Sequence, residues 1–278
     1  MKPDKLIILD YSGTLSLQAV LFGRQESLQA ALEQSGLSRL GVTPSLFWNE
    51  IVNPTWREGS TTRVGYKRVM IKRLRKRAAF RHPGATPLTG AGLEKAVADF
   101  VDAYLAASRM EKSWRSILRI LADRRDVCTI IATDHYAEAT PAILNFLAEW
   151  NIPALPAEKA FSSRRPAVII VANSADLGMH KTTPYFWLTL KSGLELQNLR
   201  EILLLDDFGY NEQAGDAYGE KTCVEIRQEQ TSRLLRDVFS AKLDVFPFFL
   251  DRRNNPEAYE RLMIQVGLCI DRFLGKKI

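Results

Sequence analysis

Residues rich in Val, Ile and Leu gather into four short runs, at 6–9, 127–132, 168–171 and 202–205, each closed by polar residues. Runs of Val, Ile and Leu without the alternation of a half-exposed strand predict strands buried on both faces. Over 115–125, 137–150, 184–191 and 213–218 the apolar positions instead fall at helical spacing. Strands alternating with helices predict a parallel sheet covered on both sides, a doubly wound (Rossmann-like) α/β core.

More than a hundred residues separate the first strand-like run from the second, and none of them reads as a strand. Helical patterns fill the interval at 25–34, 44–51, 63–79 and 92–107, punctuated by Gly and Pro. The expected division is therefore an α/β core of 1–16 and 111–278 with an inserted all-helical cap over 17–110. A parallel sheet opens its ligand crevice at the carboxyl ends of its strands, so an insertion directly after the first strand would cover that crevice as a lid. Near the end of the chain, Asn255 and Pro256 suit an N-cap and a first helical position. Tyr259, Leu262, Val266, Ile270 and Phe273 follow on one face, predicting a helix docked on the core.

Composition narrows the class. With 46% hydrophobic and 25% charged residues the chain is globular in type. Its three cysteines are widely spaced with no CxxC pair, which indicates neither a disulfide framework nor a zinc site and fits a reducing cytoplasm. No apolar stretch is long enough for a signal peptide or a membrane span, so no membrane partner is expected. The expected state is a monomer or homodimer. The net charge is +6, yet the segment 59–93 holds nine Lys or Arg and no Asp or Glu, so the remainder of the chain carries −3. The basic character is local.

The polar residues that close the four runs are Asp10, Thr133, the segment 174–181 ending in Lys181, and the pair Asp206 and Asp207. In a parallel sheet these ends converge, which would bring carboxylates, a hydroxyl and an ammonium into one crevice. Such a set suits a phosphoryl group. One carboxylate can attack phosphorus, a second can share a magnesium ion with it, a hydroxyl can hold phosphoryl oxygens, and a Lys can neutralise developing charge.

These segments resemble the four motifs of the haloacid dehalogenase superfamily. Leu6-Ile-Ile-Leu-Asp10-Tyr-Ser-Gly-Thr-Leu15 is similar to the first, an apolar strand followed by Asp-x-Asp-Gly-Thr-Leu, and Thr129-Ile-Ile-Ala-Thr133-Asp to the second. Lys181, with Pro184 three residues on and Trp187 six residues on, resembles the third, and Leu203-Leu-Leu-Asp206-Asp207-Phe-Gly-Tyr-Asn211 the fourth. The resemblance implies a magnesium-dependent hydrolase or phosphotransferase acting on a small phosphorylated molecule. It implies that Asp10 is both nucleophile and Mg2+ ligand, that Ser12 offers its carbonyl to the ion, and that Asp207 is the second carboxylate on it. Thr133 would grip the phosphoryl oxygens and Lys181 would orient Asp10. Gly13, Thr14 and Asp134 stand in supporting places. Asp206 and Asn211 would serve as outer ligands through water or as a tie to Lys181.

Ser12 departs from the pattern, standing where family phosphatases usually place a second Asp as general acid and base. Loss of that function is worth about 10²- to 10⁴-fold. Three outcomes are open: a substrate with a good leaving group, such as an acyl phosphate or anhydride; a replacement acid, from His135, Asp134 or His180; or a slow or inactive enzyme. Against the second, His135 reads more simply as a cap of the following helix and His180 as a partly exposed loop residue.

The segment 67–81 contains eight of these nine basic residues and reads as a solvated helical face. Alternatively it lines the entrance and attracts an anionic substrate, or contacts an acidic partner as part of a catalytically degenerate binding or regulatory module. Nucleic acid is disfavoured as a partner because few aromatics are interleaved. Trp48, Trp56 and Trp114 read as packing residues, although a Trp near the crevice would shape a substrate pocket.

Overall fold

The computed structural model describes residues 3–80, 90–163, 168–211, 221–250 and 255–275. Six strands form one sheet: β1 (Lys5–Asp10), β2 (Val127–Thr133), β3 (Ala154–Pro156), β4 (Ile169–Asn173), β5 (Glu201–Asp206) and β6 (Lys242–Pro247). Their order is β3-β4-β2-β1-β5-β6 and every pairing is parallel. The fold is a doubly wound α/β sheet.

The four apolar runs are the four central strands, and the two strands not foreseen are the edges. Buried on both sides, a central strand must be largely apolar. Alternate residues of β1 accordingly enter different cores. Ile7 and Leu9 pack with the helices Trp114–Ala122, Ala139–Glu149 and Pro256–Phe273, while Leu6 and Ile8 pack with Pro184–Gly193 and Lys221–Phe239. At the edges, β3 is only three residues long and β6 (KLDVFP) is half-exposed and alternating, so neither produces an apolar run. The C-terminal helix begins as expected: Asn255 Oδ1 accepts from the N–H groups of Glu257 and Ala258, with Pro256 at the first helical position. Leu262, Val266, Ile270 and Phe273 are its buried face. The helix expected over 213–218 lies outside the described residues, as does Arg81.

Between β1 and β2 the helices Leu17–Leu21, Gln25–Gln34, Asn53–Ser60, Tyr66–Phe80 and Gly90–Ala107 surround a third core that includes Leu28, Phe47, Met70 and Phe100. The expected helix over 44–51 is a single turn, Pro44–Leu46, that widens into a π-turn, Phe47–Val52. Among the described residues no helix is long and apolar enough to cross a membrane.

The topology places the crevice. From β1 the chain passes to β2 on one side, and later places β5 on the other, so the loops leaving the carboxyl ends of β1 and β5 diverge. Register levels the ends: Asp10 lies opposite Ala132, one residue before Thr133, and Leu9 lies opposite Leu205, one residue before Asp206.

Candidate active site

Asp10, Asp206 and Asp207 are all buried, and each offers a carboxylate oxygen within 4.8 Å of the others. The Lys181 ammonium sits between two of them, donating to Asp10 Oδ1 and, at 3.1 Å, to Asp206 Oδ2. Its main chain is held as firmly as its tip. Lys181 N–H donates to Asp134 Oδ1 at 2.9 Å, and Trp187 Nε1 donates to Lys181 O at 2.7 Å, so Trp187, six residues on, anchors the loop that aims the ammonium. Asp206 also accepts from the Phe208 N–H through its other oxygen at 2.7 Å. Asp10, Ser12, Thr133, Lys181 and Asp207 line one cavity of about 1100 Å³, together with Asp134, His135 and Asp206.

Beneath the carboxylates lies a frame of short loops. After β1 the chain turns sharply at Gly13, where φ is +84°, and Gly13 N donates back to Ser16 O at 2.9 Å. Thr14 Oγ1 accepts from Asp207 N–H at 3.1 Å, and Thr14 O accepts from Trp114 Nε1 at 3.2 Å. Asn211 has every amide atom engaged: Nδ2 donates to Gly13 O and Phe248 O, and Oδ1 accepts from Leu250 N–H. It thus ties the loops after β1, β5 and β6 together, and its partners are these backbone groups, not Lys181. Asp206 is the residue of the fourth motif that meets Lys181. A Cβ on Gly13 would stand 2.7 Å from Asp207 Cγ, on a backbone conformation that side chains rarely adopt. Gly13→Ala is expected to lower stability by about 1–3 kcal/mol and to displace Asp207. Denaturant unfolding checks the first effect and magnesium titration the second.

Charges in this space shape one another. Burial pushes the Asp10 carboxyl well above the usual range; Lys181 opposes that shift, while Asp206 and Asp207 reinforce it. For Lys181, burial acts to depress the ammonium, but Asp10, Asp206 and Asp134 outweigh it and hold its pKa well above the ordinary value. Lys181 is therefore a fixed cation. One cation among Asp10, Asp206 and Asp207 leaves the cluster negative, as a divalent metal site requires.

Two solved dehalogenases resemble this chain. One, described as a dehalogenase, is 12% identical, with a TM-score of 0.43, covering 94% of this chain and 90% of that one. The other, 2-haloacid dehalogenase from Pseudomonas syringae pv. Tomato DC3000, is 14% identical, with a TM-score of 0.45, covering 82% and 100%. No family model matches the chain, and no curated protein matches it by sequence.

The candidates for a replacement acid fare differently. His135 is buried: its Nδ1 accepts from the Tyr136 N–H at 2.8 Å and its Nε2 meets Tyr104 Oη at 2.7 Å. Because Nδ1 accepts a backbone N–H, the ring proton sits on Nε2. Burial lowers the His135 pKa to about 4, so the imidazole is neutral near pH 7 and holds no cationic proton to give. Nor does it cap the next helix, which starts four residues later at Ala139. His180 is half-buried, bonded through Nε2 to Ser60 Oγ at 2.7 Å and stacked on Trp56, and it does not line the cavity. Asp134, which burial raises, is engaged by the Lys181 main chain.

His135 has a pH consequence. Between its folded value near 4 and the unfolded value near 6.5, the unfolded chain binds the extra proton, so stability falls as pH drops through that window. The expected loss is about 3 kcal/mol. Buried carboxyls such as Asp10 run the other way, so the test is the difference between wild type and His135→Gln in denaturant unfolding at pH 7 and pH 4.5: only the wild type should carry this part of the decline.

Between the helices inserted after β1 and the sheet core, one contact uses a residue that the motifs do not contain. Glu138 accepts from the Tyr66 N–H at 2.7 Å and the Lys67 N–H at 3.2 Å, so a core carboxylate caps the N-terminus of the helix Tyr66–Phe80, whose own first turn has no acid. Glu138→Ala is expected to remove about 1–2 kcal/mol and to speed proteolysis between cap and core, read by denaturant unfolding and limited digestion. Spatial proximity alone reveals this contact, since 72 residues separate donor from acceptor.

The basic helix is a solvated face. Lys67 pairs with Asp102, Lys72 with Glu58, Arg75 with Glu94 and Arg77 with Glu50, while Arg73 donates to Glu50 O. Of this helix's described residues only Tyr66 reaches the cavity, so its cations do not line the entrance. Trp114 is a core residue, whereas Trp48 and Trp56 stand in the cavity wall.

Proposed function

We propose that this protein is a magnesium-dependent phosphatase or phosphotransferase of the haloacid dehalogenase type, which acts on a small organic phosphate through Asp10. The observation that carries this is the meeting of the carboxylates of Asp10, Asp206 and Asp207 within 4.8 Å, with the Lys181 ammonium bridging the first two. Three clustered carboxylates repel a departing halide, which disfavours carbon–halogen cleavage. Oxygen donors of this kind fit a hard divalent cation, with Asp10, Asp207 and the Ser12 carbonyl as its holders and Asp206 behind them. Bound there, magnesium would offset the repulsion between an anionic nucleophile and a phosphoryl group and polarise the phosphorus–oxygen bonds.

An Asp10 oxygen attacks phosphorus, the ester bond breaks, and the leaving oxygen departs as an alkoxide with the electron pair and takes its proton from water. Lys181 orients Asp10 and opposes its protonation, its own position fixed by Asp206 and by the main-chain bonds to Asp134 and Trp187. Thr133 stands ready to hold a phosphoryl oxygen. Water then attacks the aspartyl-phosphate, restoring the carboxylate and releasing phosphate. Ser12 supplies neither acid nor base, so this second step is slow and good leaving groups are favoured in the first.

The alternative of a degenerate module binding an acidic partner through the basic helix draws less support, because cap groups already engage five of that helix's cations. A phosphometabolite panel that includes acyl phosphates, run with magnesium and with a chelator, distinguishes the two: turnover that the chelator removes is expected. No turnover of any ester, with binding to a polyanion that weakens steeply with salt, would favour the module.

A further inference from the structure

The cavity is far larger than a phosphoryl group needs, and its two ends differ in chemistry. The sheet end holds the carboxylates and Lys181. The cap end is walled by Phe47, Trp48, Trp56, Tyr66, Phe100 and Tyr104, with aliphatic side chains between them. Among the described residues the cap contributes no charged side chain to this wall and one carboxamide, Asn53. The Tyr104 hydroxyl is already engaged by His135. The helix Lys221–Phe239 also lines the cavity, with Arg227, Gln230, Thr231, Arg233 and Asp237, a polar wall in which two cations outnumber one carboxylate and so favour an anionic ester.

We propose that the cap end takes the ring system of an aryl phosphate, a phosphate monoester of a phenol-type alcohol, while its phosphoryl group meets Asp10. This rests on the phosphatase function above. Two independent features converge on it. Aromatic walls favour a flat apolar body through offset and edge-to-face contacts, and among their side chains only Asn53 and the tyrosine hydroxyls could answer the hydroxyls of a sugar, the other polar groups of the cavity lying on the core side. At the other end, Ser12 cannot protonate a leaving group, and a phenol, ionising at about pH 10, departs as its anion far more readily than an alkanol. The step balances: the Asp10–phosphorus bond forms as the phosphorus–oxygen bond to the aryl group breaks, the aryloxide keeps the electron pair and takes its proton from water, and hydrolysis of the aspartyl-phosphate yields inorganic phosphate.

The test compares kcat/KM for 2-naphthyl phosphate and glucose 6-phosphate, with calorimetric titration of 2-naphthol into the same protein as a measure that needs no phosphoryl chemistry. The expected results are a preference of about 10²-fold or more for the naphthyl ester, and naphthol binding that 2-naphthyl phosphate competes away. Equal or better turnover of the sugar phosphate would overturn the assignment while leaving the Asp10 chemistry intact. Failure of naphthol to bind would overturn it whatever the protein hydrolyses. Naphthol binding without turnover of any ester would sink the phosphatase function and keep the aryl ligand.

Discussion

Asp10→Asn is expected to lower turnover by at least about 10⁴-fold without lowering stability. An amide has the shape of the carboxylate but neither its nucleophilicity nor its charge. Asp10 is buried, and besides Lys181 it faces two like charges, Asp206 and Asp207, so removing its charge relieves repulsion while Asp206 keeps Lys181 paired. Loss of turnover with an unchanged or raised unfolding midpoint therefore separates a chemical role from a structural one. Magnesium affinity should fall in the same variant, because one of the two carboxylates proposed to hold the ion is gone. Retained turnover would remove Asp10 from the reaction.

Lys181→Met is expected to reverse that pattern, destabilising by about 3 kcal/mol or more as well as abolishing turnover. The methionine fills the same stem volume but leaves Asp10 and Asp206 buried without their cation. Removing one partner of a buried pair leaves the other charge uncompensated, which is the costly case. Magnesium then becomes the remaining source of positive charge, so the variant should gain more thermal stability from millimolar magnesium than the wild type does. A variant as stable as wild type without magnesium would mean that Lys181 is not balancing these carboxylates.

The sequence made the sheet's centre legible because residues buried on both faces have no choice but to be apolar. It made the edges illegible for the matching reason: β6 spends half its positions on solvent, and β3 is too short for a pattern. The helix Lys221–Phe239 gives no helical pattern in the sequence because its polar wall toward the cavity breaks the apolar stripe, leaving Val224, Leu235, Val238 and Phe239 as its described buried apolar residues. At the site, polar residues closing apolar runs were readable, since topology alone gathers strand ends. What the chain order conceals is who holds those residues. Asn211 reaching Phe248 is a pairing set by packing within the sheet core, and Glu138 capping a helix 72 residues away and His180 meeting Ser60 are pairings set by packing between the sheet core and the helices inserted after β1. The charge run of the basic helix was visible, but not the acids that answer it, which lie on other cap helices and turns.

The most direct examination is to catch the covalent intermediate. Because Ser12 leaves hydrolysis of the aspartyl-phosphate without a general base, that species should accumulate when magnesium and acetyl phosphate or an aryl phosphate are mixed with the protein. Borohydride added during turnover, followed by peptide mass spectrometry, should find Asp10 reduced to homoserine in a near-stoichiometric fraction of chains, and the chelator control should leave it untouched. Steady magnesium-dependent turnover with Asp10 unmodified and no burst of released alcohol, or a label on any other side chain, would contradict phosphoryl transfer to Asp10.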